Sequence, residues 1–233
     1  MCISADASKN MYIVGLISAF LLVNFGLKSL RKENLYLTIV FLYIILMQVI
    51  DYLVWIDLDC KRGTNRLAGI LGAFLNYSQP LFVLLVGYLV LTKKINKNIK
   101  KLNVIYVILL AVFLIRFYMK GDFCTKIDRA TGNLRWCWTK EPFIKVMMVA
   151  YIIVLFANLL TFTENNYMVT AIGLIIFYLI LVLLKVKNYN SIGNMWCFIT
   201  PTIVLLYLFV QRAFPKFSLN KIDKKYLRNI TSM

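Results

Sequence analysis

The sequence predicts an all-α membrane protein: a seven-transmembrane helix bundle with its N-terminus outside and its C-terminus cytoplasmic. Three observations carry that expectation. Hydrophobic residues make up 61% of the 233-residue chain, well above the roughly 45–50% of soluble domains. They fall into runs close to the ~20 residues that cross ~30 Å of hydrocarbon as a helix. Tryptophan, cysteine and basic residues are divided unequally between alternate connections, as in chains with a fixed orientation.

The first run, 11–27, follows MCISADASKN, which holds a single base, Lys9, and no A-x-A cleavage pattern. It is therefore expected to stay as a helix rather than be removed as a signal peptide. Gly15, Ser18 and Ala19 give it a small-residue face. The second run, 35–56, carries Gln48, Asp51 and Trp55 at i, i+3 and i+7, on one helix face. The third, 67–92, is long enough to tilt. Its stripe of Gly69, Gly72, Asn76, Gln79, Val83 and Gly87 permits close helix approach and hydrogen bonding across an interface. Pro80 lacks an N–H, so it frees the carbonyl of Asn76 and is expected to kink the helix.

The fourth run, 102–119, has Arg116 near its end, and the fifth, 143–162, contains Asn158. Between them, residues 120–142 place two arms around Thr131-Gly132-Asn133, the pattern of a short hairpin. The sixth run is 168–184. The seventh, 195–211, contains Thr200-Pro201-Thr202. In the basic tail, 212–233, Leu219, Ile222, Tyr226 and Ile230 recur at near-helical spacing among Lys221, Lys224, Lys225 and Arg228. That fits an amphipathic helix on the inner leaflet, or a disordered basic tail.

With the N-terminus outside, the inner connections and tail hold 14 Lys and Arg against 11 on the outer side. Cys2, Cys60, Cys124, Cys137 and all four tryptophans then lie outside or at the outer boundary. Clustered cysteines suit an oxidising face, and clustered tryptophans an interfacial belt. Cys124 and Cys137 on the hairpin arms form one candidate disulfide, and Cys2 with Cys60 a second. Four cysteines allow three connectivities, and spacing does not select one.

The net charge of +17 does not point to nucleic acid, because the basic residues stand between apolar runs, where they anchor spans beside anionic head groups. Histidine is absent. That excludes His-based zinc sites, His general bases and bis-His haem, and no nucleophile–base set replaces them. No catalytic residue, metal or cofactor is expected. The seventh run contains no lysine for a retinal Schiff base, and LTKK after the third lacks the acidic-Arg-Tyr motif of heptahelical receptors. A plan of two three-helix repeats, with Pro80 and Pro201 in corresponding spans, is a further alternative.

Charge in a bilayer core costs at least ~2.5–3.5 kcal/mol on insertion scales, so polar residues within the spans mark the candidate site. Gln48, Asp51, Asn76 and Gln79 form either a satisfied seam between helices or the lining of an outward-opening cavity. Arg116 lies at a height comparable to Asp51 and is a candidate ion-pair partner for it.

The opening MCISADAS, the segment ending DLDC, and then GTNRLAGILG and SQP, resemble an uncharacterised family of small multi-pass membrane proteins. Its members begin Met-Cys-Trp-Ser and carry a Gln-Pro in the third span. The likeness covers about residues 1–90, and Ile3 stands where the family has tryptophan. It implies no activity, but it implies that Cys2 and Cys60 belong together.

These residues lead to an expected transporter or channel-like protein for a small solute, ion or proton, with a non-catalytic receptor or membrane scaffold as the alternative. The expected partners are the lipid bilayer and anionic lipids at the inner Lys and Arg residues, with homo-oligomerisation left open.

Overall fold

Helix formation starts before the first apolar run. Ser4 caps the first helix by accepting a hydrogen bond from the Ala7 N–H at 3.1 Å, which satisfies a donor the helix itself leaves open. The computed structural model describes residues 4–128, 132–162 and 192–214, with the single positions Val169 and Gly173. Among these residues there are six α-helices: α1 (Ala5–Phe25), α2 (Arg31–Trp55), α3 (Thr64–Leu91), α4 (Lys97–Lys120), α5 (Ile144–Thr161) and α6 (Ile192–Ala213). The first five are long and apolar enough to cross a membrane, which is compatible with an integral membrane protein. A count of seven is not reached among the described residues. The expected sixth span, the tail beyond Phe214, Cys2 and the side chain of Cys197 lie outside them.

Several helices run past the apolar stretches that mark them. α2 begins at Arg31 and α4 at Lys97, because lysine, arginine and glutamate are good helix formers and end apolar runs without ending helices. Residues 126–128 (β1) pair antiparallel with 133–135 (β2), in the register Lys126↔Arg135 and Ile127↔Leu134. Gly132 takes a positive φ of 69° there, a conformation glycine adopts without penalty. The expected hairpin is therefore present.

Connectivity defines two ends. One, the hairpin end, holds the start of α1, the 56–63 connection and residues 121–128 and 132–143. The opposite, basic end holds the 26–30 turn and the 92–96 connection, together with Phe162 and Gln211. α1 packs on α2 and α6, α2 also packs on α3, and α3, α4 and α5 pack on one another.

Three apolar cores follow this arrangement. Ala19 and Leu22 of α1 meet Phe41 and Ile45 of α2 and Tyr207 of α6. Tyr36 and Val40 of α2 meet Val83 and Val86 of α3, with Leu155 and Phe162 behind them. The largest joins Ile50 and Val54, Ala73 and Tyr77, Phe113 and Phe117 with Leu134, Trp136 and Trp138 of the hairpin segment. The outward faces remain apolar, as Ile17 and Phe20 of α1 and Val104, Ile108 and Ile115 of α4 show.

The small residues singled out in the sequence are the points of closest approach. A Cβ on Gly15 would stand 2.9 Å from Ile45, and one on Gly72 2.9 Å from both Ile50 and Trp138. At Gly87 it would meet the Phe162 ring, and at Gly69 the backbone carbonyl of Phe123 and the Cys137 sulfur. A carbonyl cannot swing aside as a side-chain end can. Gly69→Ala should therefore destabilise the protein in detergent by about 1–3 kcal/mol, read as a lowered thermal midpoint. An unchanged midpoint would mean that the 121–143 segment is not seated on α3.

Candidate functional site

The arc of α2 that each neighbour occupies fixes where the buried carboxylate lies. Ile45 faces Gly15 of α1, and Ile50 faces Gly72 of α3. Leu35 and Leu46 are exposed on the apolar outer stripe. At about 100° per residue, Asp51 stands about 140–160° round the helix from that stripe, with Gln48 beside it. Both occupy the arc between the α1 and α3 contacts, on the inward side of the helix, and α6 is the third element against α2. Gln48 is 1% and Asp51 2% exposed. Asp51 lies four residues before the helix end at Trp55, about 6 Å along the axis, towards the hairpin end.

Gln79 is also buried, at 1% exposure, but in a different place. It lies near the middle of α3 and accepts a 2.6 Å hydrogen bond from the Tyr151 hydroxyl of α5, while its Nε2 has no acceptor among the described residues. Asn76 is half-buried. The four residues taken together as a seam or cavity are thus divided. Gln48 and Asp51 stand on the arc of α2 between its α1 and α3 contacts, near one end, and Gln79 faces α5 at mid-height.

The strongest polar cluster surrounds Pro80, which lies inside a continuous α3. The missing proline N–H leaves the Asn76 carbonyl, one turn earlier, without its helical donor, and side chains of neighbouring helices donate to two other carbonyls of the same turn. The Tyr106 hydroxyl donates to the carbonyl of Tyr77 at 2.6 Å, and Asn158 Nδ2 donates to that of Pro80 at 2.8 Å. Asn158 and Asn103 exchange hydrogen bonds at 2.8 and 2.9 Å, locking α4 to α5. Tyr77 adds edge-on contacts to Phe113 and Tyr151.

Arg116 does not meet Asp51. Its Nε donates to Glu141 Oε1 at 3.0 Å, and Lys120 lies 3.8 Å from the other carboxylate oxygen. The reason is topological: α4 packs on α3 and α5, whereas Asp51 is carried by α2, which packs on α1, α3 and α6. Glu141 is buried, whereas Arg116 is half exposed. The pair therefore ties the hairpin segment to the last turn of α4, where cations also suit the helix dipole. Lys140 bonds Asp122 at 2.7 Å, and this bond holds the Asp122 carboxyl below the ordinary aspartate range.

The cysteines pair differently from either expected bridge. Cys60 is bonded to Cys124, with Cα atoms 6.0 Å apart, and Cys137 is a buried free thiol. The pairing of Cys60 with Cys2, and that of Cys124 with Cys137, are both displaced. Asn65 explains the geometry. Its side-chain amide donates to the carbonyl of Thr125 and accepts from the Thr125 N–H, each at 2.9 Å. This mimics a backbone pair and docks the residue after Cys124 on the start of α3, beside Cys60. Cys137 is turned instead towards Gly69, and burial pushes its thiol up to about 11. Asp57 closes the connection by accepting from the Arg62 and Asn65 N–H groups, both at 3.0 Å, and these bonds hold its carboxyl below the usual range.

A matching tie closes the basic end. Gln211 of α6 accepts from the Leu27 N–H at 2.9 Å and donates to Asn34 at 2.8 Å, while Asn34 donates to the Leu27 carbonyl at 3.2 Å. Asn34, Asn65, Asn103, Glu141 and Gln211 were not among the candidates from sequence. Each stands at or near the end of an apolar run, where a polar residue looks like an ordinary boundary.

Among the described residues no group of three or more His, Cys, Asp or Glu has the arrangement of a metal site. No family model, curated protein or solved structure matches the chain.

A double-mutant cycle on Asn103→Ala and Asn158→Ala should return a coupling of about 0.6–1.7 kcal/mol, the span found for hydrogen bonds between membrane helices. A coupling of zero would contradict the reciprocal pair. Non-reducing peptide mapping should recover Cys60 linked to Cys124, with Cys137 alkylated only after unfolding. The lowered Asp57 carboxyl predicts an acid effect of definite sign. Its contribution to stability is present above the unfolded aspartate range and is lost as pH falls through the lower folded value. Hydrogen-exchange protection at Arg62 and Asn65, corrected for intrinsic rate, should fall at that acid edge in the wild type. In Asp57→Asn the same acid step should be missing.

Proposed function

We propose that the chain is a membrane-embedded transporter or channel-like protein for a small solute, ion or proton, with the hairpin end outside and the C-terminus cytoplasmic. The observation that carries this reading is Asp51, a carboxylate sealed at 2% exposure on the inward face of a hydrocarbon-length helix. A charge in that position is costly, and such residues mark ion, proton and substrate routes. Gln48 supplies a second polar group one turn away. The orientation is supported by the Cys60–Cys124 bridge at one end, which suits an oxidising compartment, and by the lysines of the other.

One observation favours a second reading, a receptor or scaffold. Residues 121–128 and 132–143 are fastened by a disulfide, the Asn65–Thr125 pair and the Glu141 ion pairs, a braced surface suited to contact.

Reconstituted into vesicles holding a pH-sensitive dye, the wild type should dissipate an imposed proton, sodium or potassium gradient faster than empty vesicles. Asp51→Asn should cut that flux at least about ten-fold, the scale of a lost charge interaction, and Asp51→Glu should retain part of it. Equal flux in the wild type and Asp51→Asn, at equal thermal stability, would end the transport reading.

A further inference from the structure

The first two turns of α4 combine two features that together describe a ligand. Lys97, Lys100 and Lys101 lie there, with Lys94 just before them, and all four are exposed. None forms an ion pair among the described residues, and α4 has no acidic residue in its first turn. The positive end of the helix dipole makes cations at this position unfavourable, so the helix carries this cluster at a cost to its own stability.

The second feature is what the lysines stand on. At about 100° per residue, Lys97, Lys100 and Lys101 share the outward arc of α4 with Val104, Ile105, Ile108 and Val112. Those four side chains are 42–59% exposed, while Asn103, Tyr106, Leu110 and Phe113 turn inward. From Lys101 to Val112 the helix climbs about 16 Å, the depth of one leaflet of a ~30 Å hydrocarbon core.

We propose that this face of α4 binds an anionic phospholipid, its phosphate held by Lys97, Lys100 and Lys101 and its acyl chains lying along Val104, Ile105, Ile108 and Val112. Charge selects the lipid over a second copy of the chain, because the lysine face offers no carboxylate for a symmetric partner and would set like charges against each other. The apolar stripe selects a lipid over a free phosphate, which would leave it unused. The proposal needs only that the chain is embedded in a bilayer, and it stands or falls independently of transport.

The test compares the full-length wild type with Lys97→Gln/Lys100→Gln/Lys101→Gln. In neutral detergent the variant should melt at the wild-type temperature or above it, since it removes cations from the positive helix end. Added phosphatidylglycerol should raise the melting temperature of the wild type, with at least about ten-fold preference over phosphatidylcholine that weakens as salt rises. The variant should lose that preference, and native mass spectrometry should show fewer retained phosphatidylglycerol molecules. An equal response of both proteins to phosphatidylglycerol would overturn the proposal. So would equal protection by inorganic phosphate, or a lysine-dependent dimer in place of lipid binding.

Discussion

Pro80 sets the constraint around which α3, α4 and α5 are arranged. A proline inside a membrane-length helix removes one backbone donor and leaves nearby carbonyls short of partners, where no water can reach them. In this bundle other helices donate to the same turn of α3. Tyr106 of α4 reaches the Tyr77 carbonyl and Asn158 of α5 reaches that of Pro80, so the turn that ends at Pro80 is bonded to both neighbours. The exchange between Asn103 and Asn158 then closes the triangle between α4 and α5. Lipid is as apolar as the helix faces, so burial alone gives little reason for helices to associate there. Directional hydrogen bonds and the close contacts at Gly69, Gly72 and Gly87 provide that reason.

The ends of the bundle are governed by the same requirement. Asn65 and Gln211 act as substitute peptide groups, each using both halves of its amide to complete backbone or amide partners from a distant segment. One seats the hairpin segment on α3, and the other seats the α1–α2 turn on α6. The disulfide adds a covalent link where Asn65 has already brought the chains together. Cys124 therefore finds Cys60, and Cys137 is carried past Thr125 into the contact with Gly69.

The broad architecture was legible because it follows from composition and run length. α1 to α5, the hairpin and the close-approach glycines are all visible in hydropathy, turn residues and small-residue spacing. That Gln48 and Asp51 share one helix face was legible too, since spacing along a helix is a local property. What failed depended on which helices are neighbours. The pairing of Arg116 with Asp51 matched two residues by height alone, and the cysteine pairing matched residues by their nearness along the chain. Glu141 was the partner that Arg116 had, but it stood in a connection and drew no attention as an intramembrane charge. Asn103 and Gln211 were hidden for a similar reason, since polar residues near run ends are the commonest kind.

Hydrogen bonding between helices is unevenly shared, and this bears on Asp51. α3, α4 and α5 are cross-linked at mid-height and braced at the hairpin end by Cys60–Cys124. α1 forms no hydrogen bond to another helix among the described residues. Ser8, Ser18 and Asn24 all turn back on their own helix, and the contacts with α2 and α6 are apolar. The Leu27–Gln211–Asn34 tie, just beyond α1, is the polar fastening of that side. Asp51 and Gln48 lie on the arc of α2 that turns from α3 towards this apolar side. The buried carboxylate therefore sits on the helix that joins the hydrogen-bonded group α3 to α5 both to α1, which is held by apolar packing, and to α6, which Gln211 fastens. Apolar contacts are non-directional and can be re-formed after a small displacement, whereas the amide and phenol bonds around Pro80 fix distance and angle. That difference sets α1, whose contacts with its neighbours are apolar, apart from α4 and α5, whose distances and angles are fixed by hydrogen bonds.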